Sequence, residues 1–253
     1  MFQLFPIEKE YDKQSLLNKY INIFGLKIRY SKNWGIEGFN NKIKFNKKKL
    51  KGIVVKIIGS NNEIIINDQS NINNLLIVII GNDNKIEIGS ISSYLDSRIL
   101  IQGSYNNVVI DNSDKFIKNT NINVACDNGN LHINKNISII GSEINLRTNH
   151  SQIDIGEDCM LSNNVTIMSG DGHLIIDKTT HQPIHTNGFC KVGNHVWIGK
   201  DSTICKNTVI PDGCVIGTNS VVTKKFKEQN SVIAGIPAKV IRKNIEWDRE
   251  YKF

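Results

Sequence analysis

Residues 192–223 read VGNHVWIGKDSTICKNTVIPDGCVIGTNSVVT, with the large aliphatics Val192, Ile198, Ile204, Ile210, Ile216 and Val222 at intervals of six. Each is followed by Gly193, Gly199, Cys205, Pro211, Gly217 or Thr223 and preceded, two places earlier, by Cys190, Val196, Ser202, Thr208, Cys214 or Ser220. An amphipathic helix needs apolar positions 3.6 residues apart, and a lone strand needs them two apart. A period of six, with a large aliphatic inside and a small or β-branched partner two before it, is the hexapeptide repeat of a β-helix. Three such strands close one triangular coil of about eighteen residues, with Gly, Pro or Asn at the turns. The expected fold class is therefore all-β: a parallel β-helix built as a hexapeptide-repeat solenoid.

Towards the N-terminus the same rhythm lengthens. GSNNEI at 59–64, GNDNKI at 81–86 and GSYNNV at 103–108 recur every 22 residues. The inward pairs Ile64/Ile66, Ile86/Ile88, Val108/Ile110, Leu131/Ile133 and Ile153/Ile155 keep nearly the same step. Each of these coils is an eighteen-residue turn with extra residues at a corner, where Asn suits left-handed backbone and can bond its own main chain. Residues 1–51 lack the rhythm and are expected to cap the first coil, with a short helix over 12–20 and a basic run at 42–51. The solenoid is expected over 52–235, and a tail, 236–253, is expected to fold back over the last coil.

With 253 residues the chain can bury a sizeable core as one domain. No uncharged apolar run approaches a membrane span, and the start, MFQLFPIEKEYDK, lacks the order of a secretory signal. A cytoplasmic location is the expectation. The net charge of +7 favours an anionic partner, and no aromatic-interleaved basic patch points to nucleic acid. Cys126, Cys159, Cys190, Cys205 and Cys214 show no ligand spacing; Cys159, Cys190 and Cys214 fall on the small inward position and read as buried hydrophobes.

One long break interrupts the repeat. After Leu161 and Ile167 the next inward position is Val192, and residues 168–191, MSGDGHLIIDKTTHQPIHTNGFCK, are extruded with three of the six histidines. Loops held on a rigid scaffold are where catalytic groups concentrate. GDGH at 170–173, HVWIG at 195–199, VIGTNSVVTK at 215–224 and AGIPAKVIR at 234–242 together resemble the hexapeptide-repeat acyltransferases. Within them the chain is most similar to bacterial enzymes that O-acetylate sialic acid in capsules or surface glycans. The resemblance covers about 155–242, is looser over the 22-residue coils, and does not reach 1–51.

The resemblance implies a left-handed β-helix, acetyl-CoA as donor substrate, no metal, and a homotrimer with its clefts between subunits. It implies His173 as general base. The chemistry agrees, because a sugar hydroxyl attacks a thioester at neutral pH only when a base takes its proton, an effect of about 10²–10⁴-fold. Direct attack needs no acyl-enzyme and leaves the cysteines idle. Asp171 or a main-chain carbonyl would orient the imidazole, and Trp197 would line the site, with an oligomer contact as its other reading. The N–H groups around Gly199 and Lys200 would receive the oxyanion. Gly217, Thr218, Thr223 and Lys224 would follow the pantetheine arm, and Lys239 and Arg242 the phosphates. Asp177, His185 and Asn187 are candidates for the acceptor, although a solvated loop explains them as well.

The predicted activity is O-acetylation of a sialic acid or related acidic surface sugar. Three alternatives stand beside it. An amine acceptor, in an amino sugar-nucleotide or an antibiotic, would use the same machinery. A β-helical carbonic anhydrase would gather His132, His150, His173 and His195 on a metal, and a non-catalytic solenoid would simply bind a glycan or a partner.

Overall fold

The computed structural model describes residues 20–23, 26–29, 34–45, 50–184 and 188–250. Among them every regular element is a strand, and the chain winds as a left-handed parallel β-helix. Three flat faces follow one another in each coil. Face A stacks eight strands, from Lys42–Lys44 through Lys85–Ile88, Asn130–Ile133 and Phe189–Val192 to Thr208–Ile210. Face B contains Ser113–Lys118, Ser138–Ile140, Met160–Leu161, Trp197–Ile198, Val215–Ile216 and Ser231–Gly235. Face C contains Asn121–Ala125, Glu143–Leu146, Thr166–Met168, Thr203–Ile204 and Val221–Val222. The twelve-residue strand Ile91–Gln102 runs through both B and C.

The register is the one that the periodicity demands. Ile64, Ile86, Val108, Leu131, Ile153, Cys190 and Thr208 stack in one column, each paired with the next. All six large hexad aliphatics and all six of their small partners are buried. Side chains alternate across a strand, so a one-residue slip would turn the whole column to solvent. One main hydrophobic core thus runs the length of the described column, with a small second cluster at Val78 and Leu100.

The N-terminal boundary differs from the sequence reading. Parallel pairing begins upstream of residue 52: Trp34–Glu37 pairs with Leu50–Ile58, and Lys42–Lys44 pairs with Glu63–Ile66. Ile36 and Ile43 stay on the stacking register there, but the surrounding lysines and asparagines hide the hexad. The expected helix over 12–20 lies outside the described residues, save Tyr20, which opens the strand Tyr20–Ile23. At the other end, Ala238–Lys243 returns antiparallel along Ser231–Gly235. The tail does not lie over the last coil but runs back beside earlier ones, from Asn230 to His195, Asp158 and Ser138.

The Asn-rich corners lie on the edge between faces C and A. Gly81 has φ 145°, and a Cβ there would stand 1.9 Å from the Gly103 carbonyl oxygen, so no other residue fits. Asn61, Asp83 and Tyr105 take the left-handed region. The buried asparagines bond along the column and not within their own corners. Asn84 Nδ2 donates to Asn62 Oδ1 and to the Gly103 carbonyl, while Asn84 Oδ1 accepts from the N and Nδ2 of Asn106. The ladder ends where Asn106 Oδ1 accepts the Gly129 N–H at 2.7 Å.

Candidate active site

The extruded segment leaves the column after Thr166–Met168 on face C and rejoins it at Phe189–Val192 on face A, so it issues from the C–A edge. Its neck is tight. Thr148 Oγ1 donates to the Ser169 carbonyl at 3.3 Å, and the Gly188 carbonyl accepts the Gln152 N–H at 3.1 Å. A Cβ on Gly188 would lie 1.6 Å from the Ser169 carbonyl oxygen. Gly188→Ala is therefore expected to force the two limbs apart, at a cost of about 1–3 kcal/mol. Limited proteolysis should cut this variant within 171–187 faster than the wild type; equal rates would refute the neck.

Beyond the neck the segment folds into a small hairpin. Ile176 bridges Pro183, and the Ile184 N–H donates to the Ile175 carbonyl at 2.9 Å. Asp177 holds the turn, with Oδ1 accepting the N–H groups of Thr179 and Thr180 at 2.8 Å each. Those Thr180 and Thr179 bonds keep its carboxyl below the ordinary carboxylate range. Asp177, expected near an acceptor, is thus occupied by backbone. His185 and Asn187 lie outside the described residues. Leu174, Ile175, Ile176 and Ile184 are all exposed on this hairpin.

His173 is exposed, and its imidazole makes no hydrogen bond or ion pair among the described residues. Asp171 does not turn towards it. The Asp171 carboxylate pairs with Lys206 Nζ from the next coil on the same edge, which fastens the outgoing limb of the hairpin. The ammonium wins because it is a full charge fixed on the column, whereas the imidazole lies further out on the hairpin.

Trp197 stands on face B, across the triangle from the C–A edge. Its indole is 37 % exposed, and Nε1 donates to Ser162 Oγ at 3.1 Å. No hydrogen bond or ion pair among the described residues joins the hairpin to this face. Gly199, Lys200, Gly217 and Thr218 turn the B–C edge, while Thr223 and Lys224 turn the C–A edge beside the hairpin neck. The Gly199 N–H donates to the Ile216 carbonyl at 2.8 Å, so it is spent in the ladder and does not await an oxyanion. Lys239 and Arg242 are exposed on the outer strand of the C-terminal pair.

Burial pushes the Cys159 and Cys190 thiols up to about 12 and the Cys126 thiol up to about 11. All three are poor nucleophiles at neutral pH. Among the described residues no group of three His, Cys, Asp or Glu is placed to hold a metal. His132 instead meets Asp111 at 3.1 Å, and His195 meets Asp158 at 2.6 Å.

The family described as bacterial transferase hexapeptide (six repeats) matches residues 189–224. Over those residues the chain is similar to the hexapeptide-repeat transferases. It is 30 % identical over 113 residues to a polysialic acid O-acetyltransferase of Escherichia coli O1:K1, covering 45 % of this chain and 36 % of that protein. It is 34 % identical over 130 residues to the galactoside O-acetyltransferase of Escherichia coli K12, covering 49 % and 59 %. The matched stretches thus span about a third to three fifths of these relatives' own lengths. The crystal structure of the polysialic acid O-acetyltransferase OatWY superposes with a TM-score of 0.55 at 27 % identity, covering 87 % of this chain and 92 % of that one.

Five residues at or near these sites have roles that a sequence reading does not supply. Lys206 occupies a turn position in an ordinary hexad. Asp158 and His195 share a corner position that is disguised by the extruded segment between them. Trp247 and Arg249 lie outside any repeat. Only the shared corner position of Asp158 and His195 carried a usable signal.

Proposed function

We propose that this protein is a hexapeptide-repeat O-acetyltransferase that moves acetyl from acetyl-CoA to a hydroxyl of a sialic acid or related acidic sugar. The observation that carries the reading is His173, an exposed imidazole without a hydrogen-bond or ion-pair partner among the described residues, on a hairpin whose neck is pinned to a rigid column. The likeness to OatWY over most of both chains favours an acidic sugar as acceptor, and the net charge of +7 agrees with it.

In this reading His173 takes the hydroxyl proton as the oxygen attacks the thioester carbonyl. The tetrahedral oxyanion is received by the Lys200 N–H, since that of Gly199 is already bonded. Collapse expels the coenzyme A thiolate, which takes the proton back from the imidazolium. Gly217, Thr218, Thr223 and Lys224 line the path of the pantetheine arm, with Lys239 and Arg242 near the phosphates. His173 and Trp197 occupy opposite parts of one triangle, so a site that uses both needs two copies. The exposed aliphatics of the hairpin would then seat on a neighbouring column, in a trimer with three clefts. Dependence on acetyl-CoA places the reaction in the cytoplasm. No helix among the described residues is long and apolar enough to cross a membrane.

The test is release of free coenzyme A thiol from acetyl-CoA over a panel of sialosides, neutral galactosides, amino sugar-nucleotides and chloramphenicol. Sialosides are expected to give the highest rate. A preference for an amine or a neutral sugar would overturn the acceptor class. No thiol release from any acceptor, together with no rise in Tm on adding coenzyme A, would leave a binding solenoid.

A further inference from the structure

The segment after the C-terminal strand pair does something that an end cap would not. A cap would lie over the open last coil, but residues 244–250 descend along the A–B edge. The Ile245 N–H donates to the Asn230 carbonyl at 2.9 Å. Trp247 then packs at His195, and Arg249 reaches Asp158, Cys159, Asn136 and Ser138, which belong to progressively earlier coils.

The seat is well made. Trp247 stacks on the His195 ring with centroids 4.1 Å apart and planes 12° apart. Its Nε1 donates to the His195 carbonyl at 2.9 Å, and its own carbonyl lies 3.0 Å from His195 Nε2. Asp158 ties both parts together: one oxygen meets His195 Nδ1 at 2.6 Å and the other accepts Arg249 Nε at 2.9 Å. Arg249 also donates to Ser138 Oγ at 2.7 Å and to the Cys159 carbonyl at 2.9 Å. Burial pushes the Asp158 carboxyl up, but the bonds from His195 and Arg249 outweigh it and leave the group below the ordinary range.

What this clasp supports is the indole of Trp197. Trp247 is only 8 % exposed, and its ring lies 6.1 Å from that of Trp197 at 47°, a tilted aromatic contact. An outward tryptophan on a flat sheet face, tethered by one bond to Ser162 Oγ, would otherwise be free to swing about its first two side-chain torsions. We propose that residues 244–250 form a strap that positions Trp197: Trp247 is the prop, and Arg249, through Asp158 and His195, holds the prop in place. The proposal rests on the reading above only in making Trp197 part of the acetyl-transfer site; the propping itself is independent of it.

Two measurements on the full chain separate these layers. In protein labelled with ¹⁵N at the indole nitrogens, Trp197→Phe assigns the Trp197 resonance. Trp247→Ala should shift and broaden that resonance, Trp247→Phe should largely restore it, and Arg249→Ala should broaden it more than Arg249→Lys. In acetyl-transfer kinetics, Trp247→Ala and Trp197→Ala should change the same parameter, KM or kcat, by about tenfold or more. The double variant should then be no worse than Trp197→Ala alone. If Trp247→Ala does not fold, Trp247→Phe and the two Arg249 variants carry the same test. A Trp197 resonance unmoved by these changes, or fully additive kinetic effects, would overturn the strap. A wild-type protein that transfers no acetyl group would refute the proposed reaction and leave the resonance test of the strap intact.

Discussion

Replacing His173 with alanine is expected to slow acetyl transfer by about 10²–10⁴-fold while leaving the melting temperature unchanged. The first half follows from general-base catalysis: without a group to take the proton, the alcohol must attack as a neutral, weak nucleophile. That range corresponds to about 3–5 kcal/mol of transition-state stabilisation. The second half follows from position. The side chain is exposed and has no partner among the described residues, so its removal breaks no bond and leaves no cavity. Coenzyme A should still raise the Tm of this variant, because the proposed donor contacts come from the column. Thiol-release kinetics and thermal melts with and without coenzyme A check all three points. Wild-type turnover in the variant would dismiss His173 as the base, and a large fall in Tm would show that it has a structural partner after all.

The second large effect concerns the fold. Asn84→Ala is expected to destabilise the N-terminal half of the column by about 3 kcal/mol or more. Asn84 is 1 % exposed and bonded on both sides. Its loss leaves Asn106 without the acceptor for its N–H and its side-chain amide, and the Gly103 carbonyl without its donor, while Asn62 Oδ1 keeps only the main-chain N–H of residue 84. Each orphaned buried group costs about 1–3 kcal/mol. Leucine would do no better, since it fills the space and satisfies none of these groups. Coils contact only their neighbours, so the damage should be local. Amide exchange should accelerate over about 60–110 and stay slow over 190–222. Uniform acceleration, or none, would contradict the ladder as the source of order there.

The Asn ladder and the Asp171 pairing show how far local reasoning reaches. Asn at a corner was legible as a turn residue, because it tolerates left-handed backbone. Yet that region is taken by Asn61, Asp83 and Tyr105, while the ladder is built by the next residue, Asn62, Asn84 or Asn106. The ladder partner was not legible, because that bond crosses to a residue 22 positions away and depends on how deeply the corner is buried. In the same way, the GDGH sequence marked the extruded segment as chemically interesting. Proximity in sequence pointed Asp171 to His173, yet the carboxylate went to Lys206, brought alongside by the following coil.

What the amino-acid order determined by itself is the column: a period of six buries one large and one small side chain per strand, and any other winding exposes them. It also marked where the column is interrupted and which three histidines stand on the interruption. Only the tertiary structure decided which edge each non-repeating segment occupies. It put the hairpin on one edge, Trp197 on the opposite face, and the strap of Trp247 and Arg249 on a third line. The physical reason is that a repeat encodes nearest-neighbour register, which is local. A segment outside the repeat is placed by charge and ring contacts with residues 35 to 113 positions away, as between Asp171 and Lys206 or Arg249 and Asn136.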